Sequence, residues 1–349
     1  MPASHRIVIG SLVLLSLVVI DRSSAFAQSE PAATVKCSET PQAIHVTVHG
    51  KPVLTYNKAF QEPPESIDPI YRRSGYIHPL YTPNGHIVTG DFAPDHAHQH
   101  ALFGAFVNTT FQGKHVDFWN QHKRTGNVSH HKVIEVHSGN DVGGFTVELI
   151  HEAFTTADPP TPVLKEQWDV QIHAISQPGF VVDIQSTITC IAESPLTINP
   201  YHYGGMAFRG SNQWVTAESE KAINEYLKAK EAGENVEEPA IEVARHQFLT
   251  SKGEGRFEGN GSHVKWVDLF GHVDGKPCGI AMLGHRENFR APQAVRLHPS
   301  KPYFCFAPMV DGEFTLAPND TYTNRYRYIA HDDAPDSEAI QQAWLEFTK

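Results

Sequence analysis

The residues most able to do chemistry are concentrated in one short segment, Asp95-His96-Ala97-His98-Gln99-His100. An imidazole occupies every second position, a proline precedes the segment, and the apolar run 101–107 follows it. In an extended strand alternate side chains share a face, so this spacing predicts three imidazoles on one side of a sheet. Neutral imidazole binds metals and moves protons near pH 7, so both kinds of chemistry are candidates.

Strand geometry restricts a metal site in this segment. Same-face neighbours lie roughly 6.6 Å apart, so His96 and His98 can reach one divalent ion. His100 is roughly 13 Å from His96 and reaches the same ion only if the backbone bends. Three interpretations stay open: a metal held by His96 and His98 with a third ligand, acid–base catalysis by these imidazoles, and a hydrogen-bonded structural cluster. The candidate third ligands are Asp95, Asp117, Glu166, His202 and His298.

The first 27 residues have the pattern of a secretory signal peptide. Arg6 supplies a positive start, residues 7–20 are largely apolar, and Ala25-Phe26-Ala27 forms an A-x-A cleavage site. The apolar run is too short for a membrane span, and no other segment approaches about 18 uninterrupted apolar residues. We therefore expect cleavage after Ala27 and a mature protein that is periplasmic or secreted, with no membrane span.

The composition limits the partners of the chain. Its 349 residues include 28 Lys and Arg against 39 Asp and Glu, for a formal net charge of −11. A nucleic-acid ligand is not expected, because proteins that bind nucleic acids usually have a basic surface. In an oxidising compartment four cysteines allow three complete disulfide pairings, and buried free thiols are the alternative. The cysteines are Cys37, Cys190, Cys278 and Cys305.

The predicted regular structure is mostly β. Alternating runs at 44–48, 51–56, 132–136, 144–150, 165–175, 180–190, 264–268, 279–283, 303–306 and 322–328 predict strands, with Gly, Pro, Asn and Asp between them. Residues 217–240 predict a solvent-facing helical insertion, and Ser337 to Phe347 a C-terminal helix with Ser337 as N-cap. Many short strands favour an all-β fold, a large antiparallel β-sandwich formed by residues 28–349 as a single domain.

Several motifs resemble a bacterial family of unknown function whose members are often labelled methane oxygenase PmoA. The label refers to a membrane subunit built from transmembrane helices, which no segment after Ala27 could form. The resemblance implies instead a sandwich of the galactose-mutarotase-like kind (a supersandwich), which elsewhere serves sugar epimerases, lyases and glycosidases. The motifs are RSGYIHPLY (73–81), PDHAHQH (94–100), VDFWN (116–120), YHYGG (201–205), FRG (208–210), GHRENFRAP (284–292), HP (298–299) and CFAP (305–308).

Further candidate site residues follow from the resemblance and from residue type. By analogy with a mutarotase, Glu166 would be a carboxylate base. His202 and Tyr203 would be acid–base groups in a glycine-containing loop, or Gly204-Gly205 forms only a turn. Trp119 would stack on a sugar ring, although core packing is the alternative. Arg290 would bind hydroxyl or acidic oxygens, or pair with a surface acid. The candidate ligand-binding residues are Asp95, Asp117, Trp119, Tyr201, Asn288, Arg290 and His298.

Together these residues predict an exported carbohydrate-active enzyme of epimerase, lyase or glycosidase type. One of His96, His98 and His100 would act as acid or base. Glu166, His202 or Tyr203 would supply the opposing group. The first alternative is a metal-dependent hydrolase or oxygenase that uses the histidines as ligands. The second is a non-catalytic protein that binds a sugar through its aromatic residues.

Overall fold

The computed structural model describes residues 1–2, 34–155, 158–174 and 179–349. Residues 33–349 form one compact unit. Of the other unit, residues 1–32, only Met1 and Pro2 are described, so the predicted signal peptide lies outside the described residues. None of the helices in the described part of the chain is long and apolar enough to cross a membrane.

Strands dominate the described chain, which confirms the all-β prediction. In chain order they are β1 (Val35–Glu39), β2 (Ala43–Val48), β3 (Lys51–Asn57), β4 (Tyr76–Leu80), β5 (Leu102–Ala105), β6 (Thr109–Phe111), β7 (Lys114–Val116), β8 (Gly126–His137), β9 (Val142–Ala153), β10 (Thr161–His173), β11 (Phe180–Cys190), β12 (Leu196–Ile198), β13 (Gly205–Arg209), β14 (His246–Thr250), β15 (Trp266–Val273), β16 (Lys276–Gly284), β17 (Val295–Leu297), β18 (Tyr303–Phe306), β19 (Phe314–Leu316) and β20 (Thr321–Asp332). The helices are α1 (Ala217–Glu231), α2 (Ile241–Ala244) and α3 (Ser337–Phe347), and short 3-10 turns connect several strands.

The described strands form three antiparallel sheets. The first sheet has the order β1-β2-β3-β4-β5-β13-β18-β17, and the second has the order β14-β15-β16-β20-β11-β10-β9-β8. The third sheet has four strands, in the order β19-β12-β6-β7. Alternation explains the packing of β11, where Val182 and Ile184 are buried and Asp183 is only partly buried. The two large sheets share one core, to which the first contributes Phe208 and Phe304.

The C-terminal helix α3 covers the other face of the second sheet. Its Ile340 packs with Val181, Leu283 and Ile329, in a cluster separate from the main core. The predicted bounds of this helix are confirmed, but its N-cap is Asp336 and not Ser337. The Asp336 carboxylate accepts the backbone N–H groups of residues 338 and 339, at 3.1 and 3.0 Å, which satisfies two donors of the first turn.

The predicted insertion is helical but does not face solvent on all sides. Thr216 and Ser219 form a capping box at the start of α1, and the helix buries Ile223 and Tyr226. The Lys230 ammonium pairs with Glu258 at 2.8 Å, so the end of α1 is also attached to the rest of the chain.

The four cysteines are all free, Cys37 partly buried and the other three buried. The structure therefore supports the free-thiol alternative of the sequence analysis.

Candidate active site

Ala93 to Gln99 form two consecutive turns, so the prediction of a strand with three imidazoles on one face was wrong. The backbone N–H of His96 donates to the carbonyl of Ala93 at 3.0 Å, and that of Gln99 to the carbonyl of His96 at 2.9 Å. Proline and aspartate at positions 94 and 95 favour turns, and this preference overrides the alternation. The turns direct His96 and His98 into one cavity, while His100 is buried outside it.

This cavity, which we call the histidine cavity, has a volume of about 520 Å³. Strand β17 forms part of its wall, where Arg296 lines it while its neighbours Val295 and Leu297 belong to the sandwich core. It therefore lies on the face of the first sheet that points away from the core. Six imidazoles of the described residues line it: His96, His98, His115, His122, His202 and His298. Of the other predicted site residues it includes Asp117, Tyr201 and Tyr203.

Asp95 orients His96 and is itself held by two cations. Its carboxylate accepts the Nδ1–H of His96 at 2.9 Å and the Nη2–H of Arg209 at 3.1 Å. The Lys301 ammonium lies 3.2 Å from Asp95 and 2.7 Å from Glu220 in α1. Burial alone would raise the pKa of Asp95, but His96, Arg209 and Lys301 outweigh it and hold that pKa well below its usual range. A carboxylate at Nδ1–H leaves Nε2 of His96 available as a proton acceptor.

His298 has the opposite tautomer. Its Nδ1 accepts the backbone N–H groups of Ser300 and Lys301, at 3.3 and 3.1 Å, so the neutral ring has its proton on Nε2. Burial and the nearby charges of His96 and Arg296 lower the pKa of His298 to about 2. Its ring centroid is 5.1 Å from that of His96. A proton acceptor and a neutral hydrogen-bond donor therefore stand side by side in the histidine cavity.

His98 and His122 extend the imidazole cluster. The ring centroid of His98 is 5.5 Å from that of His96 and 5.8 Å from that of His122. Burial and the neighbouring imidazoles lower the pKa of His98 to about 3. Within the described ranges, no group of three or more His, Cys, Asp or Glu is arranged to hold a metal ion. A metal on His96 and His98 stays a prediction.

His100 has a structural position. It is fully buried, its Nδ1 lies 2.9 Å from the Asp91 carboxylate, and its Nε2 lies 3.0 Å from the side-chain oxygen of Gln121. The Tyr76 hydroxyl donates to the same aspartate at 2.5 Å. Because both ring nitrogens face acceptors and the ring is inaccessible, we correct the catalytic role predicted for His100 to a structural one.

Asp117 fixes the loop that carries Asn120. One carboxylate oxygen accepts the backbone N–H groups of Trp119 and Asn120, at 2.9 and 2.8 Å, and the other accepts the Asn120 amide at 2.8 Å. That amide also donates to the Tyr203 hydroxyl at 3.0 Å. Burial raises the pKa of Tyr203, which keeps it protonated. Both oxygens of Asp117 are thus engaged within the protein, which argues against the ligand-binding role predicted for it.

Trp119 is a packing residue. Its side chain is fully buried, and its ring centroid lies 4.4 Å from that of Phe103 and 5.5 Å from that of Tyr203. A ring without exposed surface cannot stack on a sugar, so the alternative of core packing describes Trp119.

Glu166 lies in the sandwich core, away from the histidine cavity. Its carboxylate receives hydrogen bonds from His151 at 2.8 Å, Trp168 at 2.6 Å and Ser186 at 2.5 Å. Burial alone would raise the pKa of Glu166, but these hydrogen bonds outweigh it and lower the pKa. The structure therefore does not bring Glu166 to His96, and we correct its predicted role as the opposing base.

Asn288 and Arg290 hold backbone segments together. The Asn288 amide donates to the carbonyl of Arg325 at 2.9 Å and accepts the backbone N–H of the same residue at 2.8 Å. The Arg290 guanidinium donates to the carbonyls of Pro308, Gly312 and Glu313, at 2.8, 2.7 and 3.1 Å. Neither residue lines the histidine cavity, so the sugar-binding role predicted for both is corrected.

Five residues that shape the site were missed: His122, Arg209, Arg296, Lys301 and Tyr303. Arg209 lies in the FRG motif, and Arg296 and Tyr303 flank the His298-Pro299 pair, so motif proximity is the signal that could have found them. Arg296 lies on a strand of three residues, too short to show alternation.

The fold and the site define a β-sandwich protein with a histidine cavity on one sheet face. The chain belongs to DUF6807, a family of unknown function whose profile matches residues 43–345. No protein of curated function matches the chain.

Among solved structures, the chain is similar to a galactose mutarotase related enzyme from Lactobacillus acidophilus, with 9% identity over 85% of this chain and 97% of that one, and a TM-score of 0.37. It is similar to a GalM/aldose epimerase homologue from C. elegans, with 11% identity over 87% of this chain and 100% of that one, and a TM-score of 0.33. For heparan sulfate lyase HepC from Pedobacter heparinus the identity is 12%, the coverage 88% of this chain and the TM-score 0.35. The chain spans 38% of that lyase and 35% of a second polysaccharide lyase.

Proposed function

We propose that the protein is a carbohydrate-active enzyme that removes a proton from a sugar carbon, with His96 as the base. The observation that carries this proposal is the pairing of His96, whose Nε2 is available as a base, with His298, whose Nε2 bears a proton, at a centroid distance of 5.1 Å. Two titratable groups whose surroundings set opposite roles are typical of acid–base sites.

The chemistry follows from these roles. The C–H bond next to a carbonyl or carboxyl carbon breaks, and the proton passes to Nε2 of His96 while the electron pair moves onto the oxygen. The Nε2–H of His298 stabilises that oxygen by a hydrogen bond. In β-elimination the electron pair then forms a C=C bond and expels the oxygen of the neighbouring carbon, which takes the proton from His96. In epimerisation a proton is instead added to the opposite face of the carbon by a second acid such as the protonated Tyr203 phenol, and both groups then exchange protons with water.

The lining of the histidine cavity supports a sugar ligand. A volume of about 520 Å³ lies in the range of small-molecule sites. Imidazole and phenol groups, among them His115, His202 and Tyr201, offer hydrogen-bond partners for several hydroxyls. A glycosidase mechanism is less well supported, because it usually needs two carboxylates. Asp117 is the one carboxylate among the described residues that line the cavity, and its oxygens are engaged.

Deuterium exchange tests the proposal. In D₂O, the wild-type protein should replace one carbon-bound proton of an aldose by deuterium, or remove one from a uronic-acid oligosaccharide with formation of a C=C bond, and NMR detects both. His96→Gln should slow exchange by about 100-fold or more, the usual contribution of a general base. His137→Gln, a half-exposed histidine of β8, is the matched control and should exchange at the wild-type rate. Equal rates for His96→Gln and the wild type would overturn the proposal.

The same purified protein also tests the two alternative functions, a metal-dependent enzyme and a non-catalytic sugar-binding protein. Stoichiometric zinc, iron or copper in the purified protein, lost in His98→Ala, would replace this mechanism with a metal-dependent one. Sugar binding without proton exchange or elimination in the wild type would favour a non-catalytic sugar-binding protein.

We also propose that the protein is exported. The pattern of residues 1–27 supports this location, and cleavage would leave Gln28 as the first residue. Amino-terminal sequencing of protein recovered from the periplasm or medium tests it, and an intact Met1 on that protein would contradict it.

A further inference from the structure

The histidine cavity contains cations that no carboxylate of the described chain neutralises. Arg296 has one side-chain hydrogen bond among the described residues, to the neutral side chain of Asn260 at 3.2 Å. It takes part in no ion pair within the described ranges, and neither does Lys123, which also lines the cavity. Burial lowers the pKa of Arg296, so its charge is partly desolvated without a counter-ion.

The carboxylates nearest to the cavity form no ion pair with Arg296 or Lys123. Asp117 keeps its negative charge, and its oxygens accept three hydrogen bonds inside its own loop. Asp95 is bonded to His96 and to two cations, Arg209 and Lys301. The neutral imidazoles of His98 and His298 add hydrogen-bonding capacity without negative charge. Among the described lining residues, Arg296 and Lys123 therefore outnumber the one carboxylate, in a chain whose formal net charge is −11.

We propose that the sugar bound in the histidine cavity is acidic, and that its carboxylate or sulfate group binds the guanidinium of Arg296. A planar guanidinium matches the two oxygens of such a group and forms charge-assisted hydrogen bonds with it. This inference rests on the proposed function for the identity of the ligand as a sugar. The anion preference itself depends on the charges alone.

An acidic group also fits the proton transfer. Removing a proton next to a carboxylate places further negative charge on its oxygens, and a guanidinium at those oxygens stabilises that charge. Arg296 and His298 are two residues apart on and just after β17, so both can face the same group of the ligand.

Thermal shift assays with inorganic sulfate, glucuronate and glucose at constant ionic strength test the inference without requiring turnover. Sulfate and glucuronate should raise the Tm of the wild type, and glucose should raise it by less. Arg296→Gln should weaken the affinity for both anions by about tenfold or more, as expected for a lost charge-assisted hydrogen bond. Arg296→Lys should retain part of it. Arg286→Gln removes an exposed arginine outside the cavity and is the matched control.

The outcomes separate the two proposals. If neither anion stabilises the wild type, or if Arg296→Gln responds to both as the wild type does, the acidic-ligand inference is overturned even where proton exchange persists. If anions stabilise His96→Gln as they do the wild type while the wild type exchanges no proton, the proposed catalysis fails and the anion site stands.

Discussion

At the scale of single residues, the environment of each ring decides its role. Residues 91–100 include three histidines, His96, His98 and His100, and the structure gives each a different environment. Asp95 makes His96 an acceptor at Nε2, burial and neighbouring imidazoles keep His98 neutral, and Asp91 and Gln121 enclose His100. Residue type and spacing found the right segment, but the hydrogen-bond partners of each ring, which spacing does not reveal, assign the chemistry.

His298 provides a test at this scale. Removing its Nε2–H in His298→Ala should lower kcat by about 10²–10³-fold with a smaller change in KM, as for other donors to a developing negative charge. His298→Gln places an amide N–H near the same position and should recover part of the loss.

The protonation state of His298 is checked separately. Because burial and nearby charges lower its pKa to about 2, its ring should stay neutral, with the proton on Nε2, from pH 8 down to pH 5. Nitrogen-15 NMR of histidine-labelled protein measures this directly. A His298 signal that titrates within that range would contradict the assigned donor role.

At the scale of elements, the loop 117–120 positions polar groups of the cavity through one carboxylate. Asp117→Asn replaces an acceptor with an amide that faces the donating amide of Asn120. An unsatisfied buried donor should lower the free energy of unfolding by about 1–3 kcal/mol, measured by urea denaturation. Asp169→Asn, on a partly buried position of β10, should change it by less than about 0.5 kcal/mol. Equal losses in the two variants would show that the loop does not depend on this carboxylate.

Elements with a strong local pattern could be predicted, and those set by distant contacts could not. The alternation of β11 and the periodicity of α3 gave the bounds that the structure has. Glu166 was misplaced because alternation shows that it shares a face with Trp168 but not which face meets the cavity. The grouping of His96 with His298 depends on the packing of segments about 200 residues apart, which no local pattern reports.

At the scale of the whole molecule, buried histidines make stability depend on pH. Their unfolded pKa is about 6.5, so below that pH the unfolded chain binds protons that the folded chain excludes. His331 has the opposite effect on stability, because Asp268 outweighs burial and raises its pKa. Its contribution to the free energy of unfolding is therefore present at low pH and is lost as the pH rises through the pKa of the folded state. The histidines with a lowered pKa outnumber it among the described residues: His78, His98, His130, His202, His246, His285 and His298.

We therefore expect the urea midpoint to fall as pH is lowered from 7 to 5. A fully buried neutral histidine such as His246 should contribute about 2 kcal/mol to this loss. The depressed carboxylates, such as Asp183, extend the loss to lower pH, because they must be protonated as the chain unfolds. Chemical denaturation at both pH values measures the change, and a midpoint that is constant or higher at pH 5 would show that these histidines are not held neutral.

The link from Glu220 through Lys301 to Asp95 connects α1 with His96. Lys301 is almost fully buried, and the helix supplies one of its two carboxylates. A shortened relative without this helix would need another acid beside Lys301, or a neutral residue in its place, to keep the charges balanced. The insertion is thus a place where evolution or an engineer could adjust the strength of the base without touching a residue that lines the cavity.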